Sequence, residues 1–347
     1  DLIADDLATA SQTAPDPASR LAKFVALQLD FDRPTLAVLN DVDSLPDHRR
    51  VLVRELQARN VEALRLEIDA GIKAGVFRPC QTEIIAQALL GMIAWTRLSA
   101  GWLGHRDGRA TRRRAAEAIT ELLLHGFATG LTRDLLINQN AEGLLDKPVN
   151  PFDRQQANAQ KMSQLVAVAS KQFSRRGIDS VSLDDIVGSV GASKGVIYHY
   201  FDDKAALVVS CYQRAFELYE VFMATAQRVG RSGFEKAIIC LHLNVQAQAG
   251  ALSPLMLQPG RLSLPEADRI AFTRAGHRLR MASSRNLRLG AVDGSCRPSD
   301  TVFMGEVSAG LFFWLPKWLP EEPTFSPIEI ADEICSFAAF GLQADRT

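Results

Sequence analysis

The sequence has almost no charge imbalance: 39 Lys and Arg stand against 40 Asp and Glu, a net charge of -1. A generally sticky polycation is thereby excluded, so any affinity for nucleic acid must be concentrated in one region. Cysteine is scarce. Cys80, Cys211, Cys240, Cys296 and Cys335 are scattered, with no CxxC pair and no metal-ligand spacing, which excludes a disulfide scaffold and reads as reduced core thiols of a cytoplasmic protein. No apolar run approaches the length of a bilayer crossing, and no membrane partner is expected. No alternating strand pattern is present, so no sheet is expected. A nucleophile elbow, an HExxH pair and a phosphate-cradling glycine loop are missing too; GASKG at 191–195 lacks the leading glycine at the needed spacing. The reading is therefore not an enzyme, with no catalytic residue, metal or cofactor.

What is there is ordinary globular composition, 47% hydrophobic and 23% charged over 347 residues, enough for two or more domains. The most informative stretch is SLDDIVGSVGASKGVIYHYFDDKAAL, Ser182 to Leu207. Ser182 is an N-cap candidate, with Asp184 and Asp185 suited to the positive end of the helix dipole. Ile186, Val187 and Val190 follow at helical spacing, and Gly191 allows a sharp turn. Ser193 then caps a second short helix. Its residues Val196, Ile197, Tyr200 and Phe201 divide between an inward stripe and an outward face carrying Lys194, Gly195, Tyr198 and His199. Helix, tight turn and short polar-faced helix make a helix-turn-helix, whose second member is sized for a DNA major groove. A preceding helix, with Leu165, Val166, Ala169 and Phe173 on one face and a stop at Gly177, completes a three-helix bundle, and Asp203 opens a fourth helix. Between Arg154 and Lys204 seven Lys or Arg face five Asp, a surplus that suits a module needing two copies for useful affinity.

Over about fifty residues this stretch resembles the TetR family of bacterial transcription regulators. Leu165, Ala169, Phe173 and Gly177 match the family's first helix and turn, and Ser182, Ile186, Gly191, Ser193, Gly195, Ile197, Tyr198, Phe201, Lys204 and Leu207 match its later pattern without gaps. The resemblance implies an all-α fold and a regulator that binds operator DNA, with Tyr198, His199 and Lys204 at the DNA backbone and Lys194, Gly195 and Val196 facing base edges or phosphates. Ser182, Ser193 and Tyr200 complete the expected DNA-binding set. Many members carry Thr or Ser where this chain has Val196, so a methyl surface suited to thymine replaces a hydroxyl contact.

Elsewhere the chain reads as helix after helix. Expected segments are 21–30, 34–40, 49–74, 81–103 and 109–129, broken by Pro46, Pro79 and the GHRDGR loop, then 203–228, 232–248, 270–288, 299–315 and 327–342. Residues 138–153, with Asn, Gly and two prolines, read as a linker, and 249–268 as an irregular apolar segment. The two halves can be laid on each other in constant register: Gly71, Gly75, Arg78, Pro79, Gly91 and Trp95 fall on Gly290, Gly294, Arg297, Pro298, Gly310 and Trp314. This reads as a duplication. The expected domains are a first lobe at 1–137, the linker at 138–153, the helix-turn-helix unit at 154–204 and a second lobe at 205–347. By analogy with the second copy, a first helix-turn-helix unit is expected upstream of Asp1.

The last two helices of each copy are apolar on more than one face and must be buried on several sides, which predicts a four-helix contact and an intramolecular pseudo-dimer, with a homodimer left open. The resemblance also implies a small hydrophobic effector. Its pocket is expected around Phe234, Leu241, Met256, Met281, Phe303, Met304 and Phe313, with His242 and His277 orienting a polar group; the same residues also read as plain core. Trp95 and Trp314 read as core or interface packing, and the Arg109–Ala115 run as a solvated helix start. The resulting function is a repressor that releases its operator on binding effector, the alternative being a helical protein-interaction module derived from such a regulator.

Overall fold

The computed structural model describes residues 2–32, 42, 45–99, 108–129, 137–145, 154–190, 194–258, 264–320 and 323–344, and among them regular structure is helix without any strand. A first lobe comprises α1 (Leu2–Thr13), α2 (Pro17–Gln28), α3 (Asp47–Lys73), α4 (Thr82–Ser99) and α5 (Arg109–His125). A three-helix unit follows: α6 (Arg154–Arg176), α7 (Leu183–Val190) and α8 (Lys194–Tyr200). The second lobe holds α9 (Lys204–Val229), α10 (Gly233–Ala249), α11 (Glu266–Asp293), α12 (Thr301–Phe313), α13 (Leu315–Trp318) and α14 (Pro327–Phe340). The helix expected at 34–40, the loop at 104–107 and the linker beyond 145 lie outside the described residues. None of the described helices is long and apolar enough to cross a membrane.

Side-chain caps set the helix starts. Asp16 accepts from the Ser19 amide at 3.0 Å with Pro17 at the first helical position, Asp203 from Ala206 at 2.8 Å, and Ser232 from Glu235 at 3.1 Å. Ser326 and Glu329 cap α14 reciprocally. One expected helix is interrupted. Where the periodicity predicts 299–315 unbroken, α12 stops at Phe313 and the short α13 begins, because Pro316 has no amide to donate and its ring would crowd the carbonyl four residues back.

The two lobes meet through α4, α5, α12 and α14, with α4 crossing α12. That crossing is close because it is glycine on glycine: a Cβ on Gly91 would lie 2.8 Å from the Gly310 carbonyl oxygen, and a Cβ on Gly310 would lie 2.8 Å from the Gly91 carbonyl oxygen. Around it the backbone contacts come in exchanged pairs. Phe127 N–H donates to Ala338 and Leu342 N–H to Leu123 at 3.0 and 2.8 Å; Ala128 N–H donates to Ala339 and Gln343 N–H to Leu124, both at 2.9 Å. The turn after α3 and the turn after α11 do the same with the opposite lobe, Arg78 N–H reaching Leu342 at 2.8 Å and Arg297 N–H reaching Phe127 at 2.9 Å. Both turns need a left-handed residue, supplied by Gly75 (φ 69) and Gly294 (φ 79). Gly75 and Gly294 thus each precede an arginine whose amide reaches the opposite lobe, and Gly91 and Gly310 face one another.

Arg114 adds a side-chain tie that sequence reading missed. Exposed as a solvated helix start should be, its guanidinium still donates to Asp300 at 2.9 Å and lies 4.5 Å over the Phe303 ring, while Arg112 is buried and covers Phe31 at 5.2 Å.

Candidate nucleic-acid interface and ligand cavity

The three-helix unit is built on a compact apolar centre. Leu165, Ala169, Phe173, Ile178, Val181, Ile186, Ile197 and Phe201 are all buried. Gly177, at φ 92, ends α6. The start of α7 is fixed by an exchange: Ser182 Oγ accepts from the Asp185 amide at 3.1 Å while the Asp185 carboxylate accepts from the Ser182 amide at 2.8 Å and its hydroxyl at 2.6 Å. These bonds hold the Asp185 carboxyl below the ordinary carboxylate value of 3.8. Asp185 therefore does more than complement the helix dipole, and the Ser182 hydroxyl is engaged in the cap.

Burial of Ile197 and Phe201 fixes which side of α8 turns outward. Tyr198 is 57% exposed, His199 and Gly195 are exposed, and Tyr200 is half-buried with its ring 4.9 Å from that of His199. Ser193 and the side chains of Lys194 and Val196 lie outside what the structure describes. Lys204 stands in the first turn of α9, partly buried; desolvation lowers its ammonium pKa from 10.5, with Asp179 and Asp185 acting the other way. The outward side therefore presents a phenol, an imidazole and open backbone, next to an ammonium whose solvation is incomplete.

A cavity of about 120 Å³ lies within the second lobe, between α9, α10, α11 and α12. Part of its wall is aromatic: Tyr212, Phe216 and Tyr219 from α9, Phe312 and Phe313 from α12, and Trp95 and Phe127 from the first lobe. Trp95 stacks on Phe313 with centroids 4.5 Å apart, so the cavity touches the seam between the lobes. Asn244, Arg280, Ser283, Asn286, Glu306 and Ser308 supply polar atoms, and the buried Glu306 carboxylate accepts from the Ser99 hydroxyl across the seam at 2.9 Å.

Of the residues expected to form an effector pocket, Leu241 and Phe313 line this cavity. The other seven lie elsewhere. Met256 and Met304 are buried in apolar packing, Phe303 lies under Arg114, and Phe234 packs edge-on to Phe127 at 5.8 Å. His277 and Met281 face solvent on α11, turned away because the helix directs Leu279, Arg280 and Ser283 inward. His242 is fully buried on another side of α10. Its Nε2 pairs with Asp332 at 2.8 Å, and Gln246 Nε2 donates both to its Nδ1 and to the Gln139 carbonyl, each at 2.8 Å. Since Nδ1 must accept, the ring is neutral with its proton on Nε2. Signals for the lining residues missed in this way did exist in part: Tyr212, Phe216 and Tyr219 recur at i, i+4 and i+7 on one face of α9.

This arrangement has a pH consequence. Desolvation lowers the His242 pKa from 6.5 in the folded chain, with Asp332 pulling the other way, so the unfolded chain takes up a proton that the folded chain resists. The stability contribution of His242 is complete above pH 6.5 and declines as pH falls through the window below it. Thermal melts from pH 7.5 downward should show this decline in the wild type and a shallower one in His242→Gln; equal slopes would refute it.

Thiol chemistry finds no support in the geometry. All five cysteines are free, and burial pushes Cys80, Cys211, Cys240 and Cys296 up to about 12, the opposite of what an attacking thiolate requires.

Residues 165–211 match the family model for bacterial regulatory proteins of the tetR family, and residues 15–127 match a tetracyclin repressor-like C-terminal domain. Both matched stretches are of TetR-family type. The first match runs from α6 into α9, and the second covers α2 to α5. The chain is similar to the Transposon Tn10 TetC protein of Escherichia coli, 32% identical over 74 residues, 21% of this chain and 38% of that protein. The matched region thus spans less than half the length of the curated relative. Solved structures similar to it include the TetR family regulator PfmR from Thermus thermophilus, 21% identical with a TM-score of 0.44 over 52% of this chain and 98% of that one. Another is the ketosteroid transcriptional regulator KstR2 of Mycobacterium tuberculosis, 14% identical with a TM-score of 0.46 over 53% of this chain and 96% of that one.

Proposed function

We propose that this chain binds operator DNA through the outward side of α8 and the start of α9, and releases it when a small, largely apolar molecule occupies the cavity beneath Phe313. The observation that carries the DNA half is the exposure of Tyr198 and His199 on a helix whose neighbours Ile197 and Phe201 anchor it in the core. A phenol and an imidazole offer hydrogen-bond donors to phosphate oxygens, and Lys204 adds a charge whose desolvation a nearby phosphate would offset. Walls that are mostly apolar, with several aromatic rings and a few polar atoms, support the effector half.

The tandem arrangement belongs to the same reading. Residues 1–137 and 205–347 act as two copies of one helical body, fused through the 138–153 linker and the 154–204 helix-turn-helix unit into a covalent pseudo-dimer. Exchanged backbone bonds and the glycine crossing of α4 and α12 support it. Two recognition helices read successive major grooves only when held about 34–36 Å apart, so a small movement between such bodies suffices for release.

Lys204→Ala should weaken binding to a duplex selected from random-sequence DNA and reduce the slope of log affinity against log salt by about one. Gel shifts across a salt series test this. An unchanged slope and affinity would remove Lys204 from the interface.

A further inference from the structure

We propose that the extended segment Ser253–Gln258 is a strap that carries occupancy of the cavity to the DNA-binding unit, with Gln258 as the residue that positions that unit. The proposal rests on the effector-release reading above. The segment follows α10 and has no helix of its own. Leu255 and Leu257 line the cavity. The residues between and after them serve the three-helix unit: the Met256 amide donates to Ser174 Oγ at 3.2 Å, Gln258 Nε2 donates to the Phe173 carbonyl at 3.1 Å, and the Ile178 amide donates to Gln258 Oε1 at 3.1 Å. All four of these strap residues are buried. One backbone thus has the Leu255 and Leu257 side chains in the cavity wall and the Met256 amide and Gln258 side chain on the end of α6.

Three features make the strap a transmitter rather than filler. Its upstream end is pinned: Arg214 donates to the Leu252 carbonyl at 2.7 Å, Gln248 to the Pro254 carbonyl at 3.1 Å, and the Ser253 amide to Ala247 at 2.8 Å. Displacement of Leu255 and Leu257 must therefore pass toward Gln258. Ser253 itself sits at φ 37, a costly conformation for a residue with a Cβ, so the pinned end holds strain that movement can release. At the other end, Gln258 bridges two residues on either side of Gly177, whose φ of 92 makes the turn between α6 and α7. Only an amide serves both partners, since a carboxylate could not donate to Phe173 and an aliphatic side chain would leave the buried Ile178 amide without its bond, the Phe173 carbonyl keeping only the Gly177 amide at 2.9 Å. A second tie ends on the same stretch: Lys317 in α13, just past Phe313, donates to the Arg175 carbonyl at 3.4 Å.

The test is hydrogen exchange by mass spectrometry on the full chain, comparing wild type, wild type with indole as a small aromatic probe, and the cavity-filling variants Ala309→Phe and Ala215→Phe. Filling the cavity should speed exchange at the Ile178 amide about tenfold, the scale of one lost buried hydrogen bond. Adding Gln258→Ala to a filled chain should abolish the effect of filling on affinity for a selected duplex. Unchanged Ile178 protection with indole and in both filled chains overturns the strap, whatever happens to DNA affinity. So does operator release that survives Gln258→Ala, although the effector reading then stands. Faster exchange at Ile178 with no change in DNA affinity keeps the strap and refutes effector release.

Discussion

Gly310→Val should cost about 3 kcal/mol or more and loosen the two lobes from one another, an overpacking penalty at the upper end of the usual range. The reason is what a side chain would meet. The Cβ alone would lie 2.5 Å from the Met92 Cα and 2.8 Å from the Gly91 carbonyl oxygen, both backbone, so no rotamer change relieves the clash. Relief requires α4 and α12 to separate, and with them the stack of Trp95 on Phe313 and the Ser99–Glu306 bond. Gly188→Ala is the matching control: nothing lies within 4 Å of the added Cβ on α7, and it should stabilise by roughly 0.5–1 kcal/mol. Denaturant titration followed by tryptophan emission checks both. A Gly310→Val midpoint equal to wild type would mean that the lobes do not depend on this crossing.

Phe173→Ala should remove about 3–5 kcal/mol from the three-helix unit, because the ring is fully buried in an apolar cluster that also holds Ile186 of α7 and Ile197 of α8. A unit of about fifty residues has little stability to spare, so the substitution should melt it while the lobes stay folded. Calorimetry should then show an early, small transition ahead of the main one, and binding to a selected duplex should fall below detection. A single transition at the wild-type temperature with binding intact would contradict this account of the unit.

How far the sequence itself reveals these features depends on whether the physics is periodic. Helices with a 3.6-residue apolar repeat and capped starts, such as α2, α9, α10 and α14, could be read nearly to their ends. The helix-turn-helix was legible because local spacing alone decides that Ile197 turns in and Tyr198 turns out. The cavity was less so. Choosing apolar residues for a ligand wall selected Met256 and Met304, which pack in the core, and passed over Asn244, Ser283 and Glu306, which tertiary contacts bring to the wall. On α11 the error was one of phase: Met281 is two positions past Leu279, which places it roughly opposite on the helix. The strap gave no periodic signal at all. Its two attachments became readable only once Leu255 and Leu257 lay in a cavity wall and Gln258 on the end of α6.

Hydroxyl-radical footprinting of the full chain, read at Tyr198 and His199 with and without a duplex selected from random-sequence DNA, tests the central claim most directly. If the outward side of α8 lies against DNA, saturating duplex should reduce oxidation of both residues while Met281, exposed on the outer side of α11, stays as reactive as before. Undiminished oxidation of Tyr198 and His199 in a chain that demonstrably holds the duplex would place the nucleic acid elsewhere and contradict the account.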